Sequence, residues 1–270
     1  MSETHLRQPR RIRHELKFRR ARVEAVEQLT PVLKRIVLTG DELEGFFSPG
    51  FDDHVKIFPT SRGQAVVLPS VGPDGPVFAE PRPVMRDYTP RLWDIPAGTL
   101  TLDFAVGHGG PATDWVEAAK PGSRLGVGGP RGSFVVPTDF ARHVLVGDET
   151  AVPAIARRLE ELPAGVAATV VLEVEDAASQ PSLTGAADLT VVWVHRNGAA
   201  RGQVEGLRAA VRTALADLER TDTYVWIAAE GQVARTLRGV VVALGYDPKA
   251  MKAAGYWRAG AVGAHEVIED

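Results

Sequence analysis

The sequence predicts two parts joined near residues 138–142: a β-rich half forming a small barrel or sandwich, then an open α/β sheet. Three observations lead there. Arg22 to about Pro137 reads as short alternating apolar runs broken by Gly and Pro. From His143 onward, uninterrupted apolar runs alternate with amphipathic ones. The 270 residues suffice for one large domain or two medium ones. The organisation expected is a basic N-terminal tail over 1–21, a first domain over 22–138 and a second over 139–270.

In the first half, strands are expected at Arg22–Leu29, Leu33–Thr39, His54–Pro59, Gln64–Leu68, Arg86–Trp93, Thr99–Val106 and Arg124–Val127. Leu100, Leu102 and Phe104 alternate with Thr101 and Asp103, as in a strand with one buried face. One helix interrupts the strands at Pro111–Ala119, with Pro at its start and Pro-Gly after it. In the second half His143–Val146 is a strand. Val152–Leu162 is a helix that Asp148 or Thr150 can cap, with Pro153 in its first turn. Ala168–Val174 and Leu189–His195 are continuous apolar strands, the signature of a parallel sheet buried on both faces. Gln203–Glu219 is an amphipathic helix, Tyr224–Glu230 a further strand and Gln232–Leu244 a last helix.

Composition narrows the chemistry. No cysteine is present, which removes disulfides, thiolate zinc sites, iron–sulfur clusters and thiol redox chemistry together. Any electron transfer must run through a bound cofactor. With 31 Lys+Arg against 34 Asp+Glu, the chain as a whole gives no support for nucleic-acid binding. No apolar run approaches the roughly 18 residues of a membrane span, and no signal-peptide core opens the chain. The expectation is a cytoplasmic protein, monomeric by default. The start of the chain holds eight basic side chains: Arg7, Arg10, Arg11, Arg13, Lys17, Arg19, Arg20 and Arg22. They make either an arm for an anionic partner or a solvated, frayed terminus; the second is the plainer reading, since no aromatic or motif accompanies the charge.

The most informative stretch is Met85–Arg91, where two Arg flank a Tyr and a Thr inside a strand pattern. Strict alternation sends Arg86, Tyr88 and Pro90 to one face and Thr89 and Arg91 to the other. Tyr can cover a flat ring, Thr can hydrogen-bond a ring nitrogen and Arg can pair with phosphate, which equips the segment for a flavin nucleotide. A surface strand with salt bridges is the plain alternative. Gly107–Trp115 follows a strand and opens a helix, so its glycines and helix start can approach a pyrophosphate. Gly128–Gly132 adds a third glycine-rich stretch with Arg131. Metal and nucleophile motifs are missing. The seven His (His5, His14, His54, His108, His143, His195, His265) form no i, i+4 pair, and no nucleophile elbow or P-loop occurs. His143 and His195, inside apolar strands, read as structural; the Trp residues read as core, except Trp257.

These segments resemble the siderophore-interacting proteins, the flavin-dependent ferric-siderophore reductases of the ferredoxin–NADP reductase superfamily. The matching residues are Asp52–Pro59, Arg86–Arg91, Asp103–Ala112 with Trp115, Gly147–Ala154, Trp226–Glu230 and Tyr256–Gly260, in family order. The resemblance implies a six-stranded antiparallel Greek-key FAD-binding barrel and an open parallel α/β domain engaging NAD(P)H. It implies flavin and phosphate contacts from Arg86, Tyr88, Thr89 and Arg91, with Asp103 in the adjoining motif. His108, Gly110, Pro111, Ala112 and Thr113 would form the loop around flavin and pyrophosphate. A basic trio at the open flavin face, matched by Lys56, Arg131 and Arg258, would hold an anionic ferric chelate.

The turn Gly147-Asp148-Glu149-Thr150 stands where a Rossmann fold carries its glycine fingerprint, yet it holds two acids that would repel a phosphate. Asp148, Glu149 and Thr150 are therefore expected to face the nicotinamide end or to order the domain interface. Arg196 is a candidate for a 2′-phosphate or a solvated surface residue; Glu230 and Arg235 fit the crevice or pair at a helix start. The reaction implied passes electrons from NAD(P)H through FAD to a ferric siderophore, releasing Fe(II). The short stretch after Tyr256–Arg258 leans towards NADPH, with reduced ferredoxin another possible donor. Two rivals stand beside this reading: a related reductase with a protein or free-flavin acceptor, and a non-catalytic siderophore-binding protein.

Overall fold

Antiparallel strands carry the first half of the computed structural model, which describes residues 9–60, 64–260 and 266–268. In chain order they are β1 (Arg10–Arg13), β2 (Phe18–Thr30), β3 (Leu33–Thr39), β4 (Val55–Pro59), β5 (Ser70–Gly72) and β6 (Gly75–Val77). Then come β7 (Arg86–Tyr88), β8 (Pro90–Asp94), β9 (Thr99–Ala105), helix α1 (Pro111–Ala118), β10 (Arg124–Gly128) and β11 (Gly132–Val135). The main sheet runs β7-β4-β10-β2-β3-β9-β8. Its two outer strands, β7 and β8, are separated in the chain by Thr89 alone, so the sheet closes on itself. Counting 86–94 as one bent strand gives the expected six. The break has a local cause: Pro90 has no N–H for the ladder.

Inward alternation fills the barrel with Val23, Ile36, Leu38, Val55, Ile57, Leu100, Leu102, Phe104, Leu125 and Val127, and α1 adds Trp115 and Val116. Gln64–Leu68, expected as a strand, has no ladder. Its alternation is real nonetheless, because Val66 and Leu68 lie against Gly126, where a Cβ would stand 2.8 Å from Val66. The basic start of the chain is corrected: residues 10–22 are not frayed. β1 pairs with β11, and β2 begins at Phe18, its buried Arg19 donating to the Gly129 carbonyl at 3.0 Å. Arg7, His5 and His265 lie outside the described residues.

The second half adds β12 (Arg142–Gly147), α2 (Val152–Glu161), β13 (Ala167–Val174), β14 (Asp188–His195), α3 (Glu205–Leu215) and β15 (Thr223–Glu230). It ends with α4 (Gly231–Ala243), β16 (Met251–Trp257) and β17 (Glu266–Ile268). The sheet order is β14-β13-β12-β15-β16-β17, parallel except for β17. Both faces are buried, with a period of two. Leu145, Val170, Leu172, Tyr224 and Trp226 face α2, while Val144, Val146, Val171, Val225 and Ile227 face α3 and α4. Strand order reverses between β12 and β15, so the crevice of this sheet opens above Gly147 and Glu230.

The face of α2 away from the sheet is welded to the barrel. Leu33, Phe51, Val136 and Phe140 join the core on that side. Two arginines of α2, both almost fully buried, satisfy barrel carbonyls: Arg157 bonds Pro90 O at 3.1 Å and also Ser48 O, and Arg158 bonds Pro137 O at 2.6 Å. Among the described residues no helix is long and apolar enough to cross a membrane.

Candidate functional site

Between the barrel and the open sheet lies a cleft of 660 Å³, within the range of small-molecule sites. Its first wall is Arg86–Thr89. Strict alternation would turn Thr89 away from Tyr88, but the ladder break between β7 and β8 turns Arg86, Asp87, Tyr88 and Thr89 all to the cleft. One face of the Tyr88 ring rests on Phe104, with centroids 4.2 Å apart. Asp103, from β9, lines the same wall and is held by Arg35 through two bonds of 2.7 and 2.9 Å.

The second wall is the loop Gly107–Gly110 and the first turn of α1. Gly107, Gly109 and Gly110 have φ of +80°, +69° and +110°, and a Cβ on any of them would meet nothing within 4 Å. The backbone is therefore turned into a left-handed course that leaves its cleft side bare. Pro111, Ala112 and Thr113 follow, and no side chain caps the start of α1. His108 touches Thr113 Oγ1 at 3.3 Å, and burial together with Arg201 lowers its pKa.

The third wall comes from the second domain: Thr150, Pro153, Arg201 and Tyr256–Gly260. Arg201 reaches across to the barrel, to His108 Nδ1 at 3.2 Å and the Val106 carbonyl at 3.1 Å. Tyr256 hydrogen-bonds Thr89, and burial pushes its hydroxyl well above the usual phenol range. Asp52, buried at the cleft edge, accepts from Trp226 Nε1 at 2.9 Å and pairs with Lys252 at 2.5 Å, leaving Oδ1 without a partner.

Eleven expected residues thus line one cleft: Arg86, Tyr88, Thr89, Asp103, His108, Gly110, Pro111, Ala112, Thr113, Thr150 and Arg258. Five do not. Arg91, expected at a phosphate, is bidentate on Glu160 of α2, with one bond of 2.8 Å. Asp148 accepts from Thr150 N at 2.9 Å and Trp257 Nε1 at 2.8 Å, and burial raises its pKa. Glu149 is buried in a bidentate pair with Arg196. Lys56 is bound to Asp87 at 2.7 Å and Arg131 is an exposed loop residue. Arg196, read as phosphate-binding or solvated, is neither: it is buried among Glu149, Glu173 and Glu175. Glu173, desolvated and close to Asp148, has its pKa raised to about 7. Glu230 caps α4 by accepting from Gln232 N and Val233 N.

Asp52, His54, Asp87, Arg201 and Tyr256 are among the cleft residues sequence reasoning missed as site members, although all of these but Arg201 stand inside the quoted motifs. Arg201 had no signal: it lies in a loop after β14. His143 is fully buried, against Phe140, and its pKa falls to about 3 because burial disfavours the charged ring. His195, read as structural, is exposed at a strand end beside Gln180.

The donor set fits a dinucleotide. An uncapped helix start bare of side chains suits a pyrophosphate, a half-buried phenol suits a ring system, and Arg86 supplies a cation beside both.

Comparison with known proteins gives the same assignment for both halves. Residues 22–134 match the siderophore-interacting FAD-binding domain and residues 140–260 the siderophore-interacting protein family. The chain is 38% identical to the NADPH-dependent ferric-chelate reductase of Escherichia coli over 257 residues, covering 94% of this chain and 98% of the relative. It is 34% identical to the ferric vibriobactin reductase ViuB of Vibrio cholerae over 169 residues, 61% of this chain and 62% of that one. Its structure matches a siderophore utilization protein from T. fusca with a TM-score of 0.88 at 36% identity, covering 95% and 98% of the two chains. A ferredoxin reductase of carbazole 1,9a-dioxygenase shares the fold at a TM-score of 0.64 and 18% identity, covering 87% and 66%.

Proposed function

We propose, from the premise that this chain belongs to the siderophore-interacting protein family, that its cleft carries electrons from NAD(P)H through FAD to a ferric siderophore. The chain is then an oxidoreductase with a ferric chelate as substrate and Fe(II) as product. The observation that carries the reading is the junction of Arg86–Thr89, the bare Gly107–Gly110 loop and Arg258 on one cleft. Bound FAD supplies the conversion of a two-electron donor into single electrons for Fe(III).

The residues supply positioning and charge. The bare loop and the first turn of α1 take the pyrophosphate, with Arg86 as counter-charge. Tyr88 lies along the ring system, and Thr89 offers its hydroxyl to a ring nitrogen, oriented by Tyr256. Thr150 and Trp257 stand on the nicotinamide side. Arg258 faces the substrate directly, with Lys56 and Arg131 behind it. The two working units are the barrel, which runs to residue 138 and includes β1 and β2, and residues 139–270, acting as a cytoplasmic monomer with NADPH as donor.

Anaerobic mixing tests this. Purified protein should be yellow, with absorbance near about 450 nm that bleaches with NADPH and returns on adding a ferric siderophore. Colourless protein that FAD cannot reconstitute would end the proposal. Bleaching by reduced ferredoxin but by neither nicotinamide would reassign the donor.

A further inference from the structure

Arg201 stands in the loop 196–204 between β14 and α3, and the second domain fixes that loop from both ends. Asn197 N and Gly198 N both donate to Glu175, the first to its carbonyl at 2.7 Å and the second to its carboxylate at 2.8 Å. Gly202, with φ +81°, passes so close to Trp257 and Glu230 that a Cβ would stand 3.2 and 3.3 Å from them. From this anchored loop the half-buried Arg201 side chain crosses to the barrel, donating to Val106 O at 3.1 Å and His108 Nδ1 at 3.2 Å. Those two residues flank Gly107, where the left-handed loop begins. A guanidinium only donates, so Nδ1 is the accepting nitrogen of His108 and Nε2 carries the proton, facing Thr113 Oγ1 at 3.3 Å in the first turn of α1.

The acids of the cleft are already matched. Asp103 is held by Arg35, Asp87 by Lys56 and Asp52 by Lys252. Arg86, Arg201 and Arg258 line the same cleft and have no carboxylate partner among the described residues. A pyrophosphate diester is a dianion, and the bare loop with the start of α1 offers it N–H groups and partial charge only. Arg86 matches one of the two charges. Arg201 is the cation that touches the loop itself, and a guanidinium has donors to spare beyond the bonds to Val106 and His108.

We propose that Arg201 is a phosphate-binding residue of the cleft: brought by the second domain, it pairs with the pyrophosphate of FAD while holding the loop that cradles it, so that both domains grip the cofactor. The inference rests on the FAD reading of the cleft and adds a residue to it. A phosphate of the nicotinamide donor is the other source of the same chemistry. The contacts favour FAD, because Val106 and His108 belong to the barrel loop and not to the crevice of the sheet above Gly147 and Glu230.

The test measures Kd for FAD and for riboflavin, which has the ring system without phosphate, by tryptophan quenching of the full chain at roughly 50 and 500 mM salt. In R201Q, which keeps a donor for the Val106 carbonyl, FAD should bind about tenfold more weakly at low salt while riboflavin stays within about twofold of wild type. R201M, which loses donor and charge together, should weaken FAD about thirtyfold, and R201K should stay within about threefold of wild type. High salt should narrow the gap between wild type and R201Q. The phosphorus NMR resonances of protein-bound FAD should shift in R201Q, and the affinity of the FAD-loaded protein for NADP+ should be unchanged. Riboflavin weakened as much as FAD would reduce Arg201 to a rivet between the domains and overturn the proposal. Weaker NADP+ binding with FAD affinity and phosphorus resonances unmoved would assign Arg201 to the donor and overturn it equally, leaving the FAD reading standing. Wild type that binds no FAD would overturn both.

Discussion

Replacing Lys252 by methionine tests the weld between the two halves of the cleft. Its ammonium pairs with Asp52 at 2.5 Å, and the two side chains are 19% and 2% exposed. Asp52 belongs to the barrel side and Lys252 to β16, and Trp226 Nε1 also donates to the same carboxylate oxygen. Removing the lysine leaves a buried carboxylate with one indole N–H, and breaking a buried pair in this way costs about 3–5 kcal/mol. The partial exposure of Lys252 places K252M at the lower end, about 3 kcal/mol. For a chain of this size that is a fall in Tm of roughly 6–12 °C. Asn at position 52 keeps an acceptor for Trp226 and removes the charge, so D52N/K252M should recover at least about 2 kcal/mol of the loss. Chemical denaturation followed by tryptophan fluorescence reads all four proteins. A double variant whose loss equals the sum of the two single losses would refute the pairing.

Three further outcomes are expected. Glu173, raised to about 7 by burial and by Asp148, is disfavoured as a charge in the fold, so it lowers stability as pH rises from its unfolded value near 4.5 through 7. E173Q should therefore gain roughly 1–3 kcal/mol relative to wild type between about pH 5 and pH 8.5, and parallel stability curves would contradict this. His143 is held neutral, with its pKa lowered from 6.5 to about 3, so its contribution is intact above 6.5 and lost as pH falls towards 3. His143→Leu should spare about 3 kcal/mol of the acid loss at about pH 4, as seen in urea titrations; an unchanged acid limb would count against a buried neutral ring. Lys56→Ala exposes the Asp87 carboxylate on the cleft wall. It should lower kcat/KM for an anionic ferric chelate about tenfold, as R258A should, while K56A/D87N recovers most of that loss. Equal activity of K56A and K56A/D87N would show that Asp87 exerts no such repulsion.

The sequence made the repeating parts legible. Leu33–Thr39 was read to the residue because Pro31 and Gly40 bound its apolar run, and Pro111 marks the start of α1 because Pro at a first helical position sacrifices no hydrogen bond. Most of the cleft was legible too, since its walls are short contiguous segments. What escaped were pairings between distant segments. Arg196 looked free because Glu149 comes from the turn after β12 and Glu173 and Glu175 from the end of β13, and Arg91 because Glu160 sits on α2. Arg157 and Arg158 read as ordinary helix charges until the barrel supplies carbonyls for them. β16 was not read as a strand because Met251–Trp257 has Ala253, Ala254 and Gly255 at its centre and no alternation, tolerated where α4 packs closely. The basic terminus hid its order because charge, not apolar pattern, dominates Arg10–Arg22, and only Ile12 and Phe18 hint at a strand.

The distribution of helix caps decides where phosphates can bind. An open α/β sheet ordinarily offers anions the helix start beyond its first strand, through a close-packed glycine turn. Here Gly147 keeps the close packing, since a Cβ would stand 2.6 Å from the Ala228 carbonyl, but the turn that follows is filled from within. Asp148 takes the N–H of Thr150, Glu149 is locked to Arg196, and Glu230 occupies the start of α4 and also accepts from Ala259 N at 3.2 Å. The N–H groups of Thr150, Gln232 and Val233 already meet carboxylates of the protein, and the carboxylates themselves repel a second anion. In the barrel the opposite holds. The start of α1 has no side-chain cap, and its approach is three left-handed glycines without a Cβ contact. The bare helix start of the cleft therefore sits on the barrel side, and the sheet contributes Thr150, Pro153 and Tyr256 beside the side-chain cations Arg201 and Arg258. That division suits a tightly held dinucleotide on the barrel and a donor that approaches the sheet by its neutral, ring-bearing end and leaves again after each turnover.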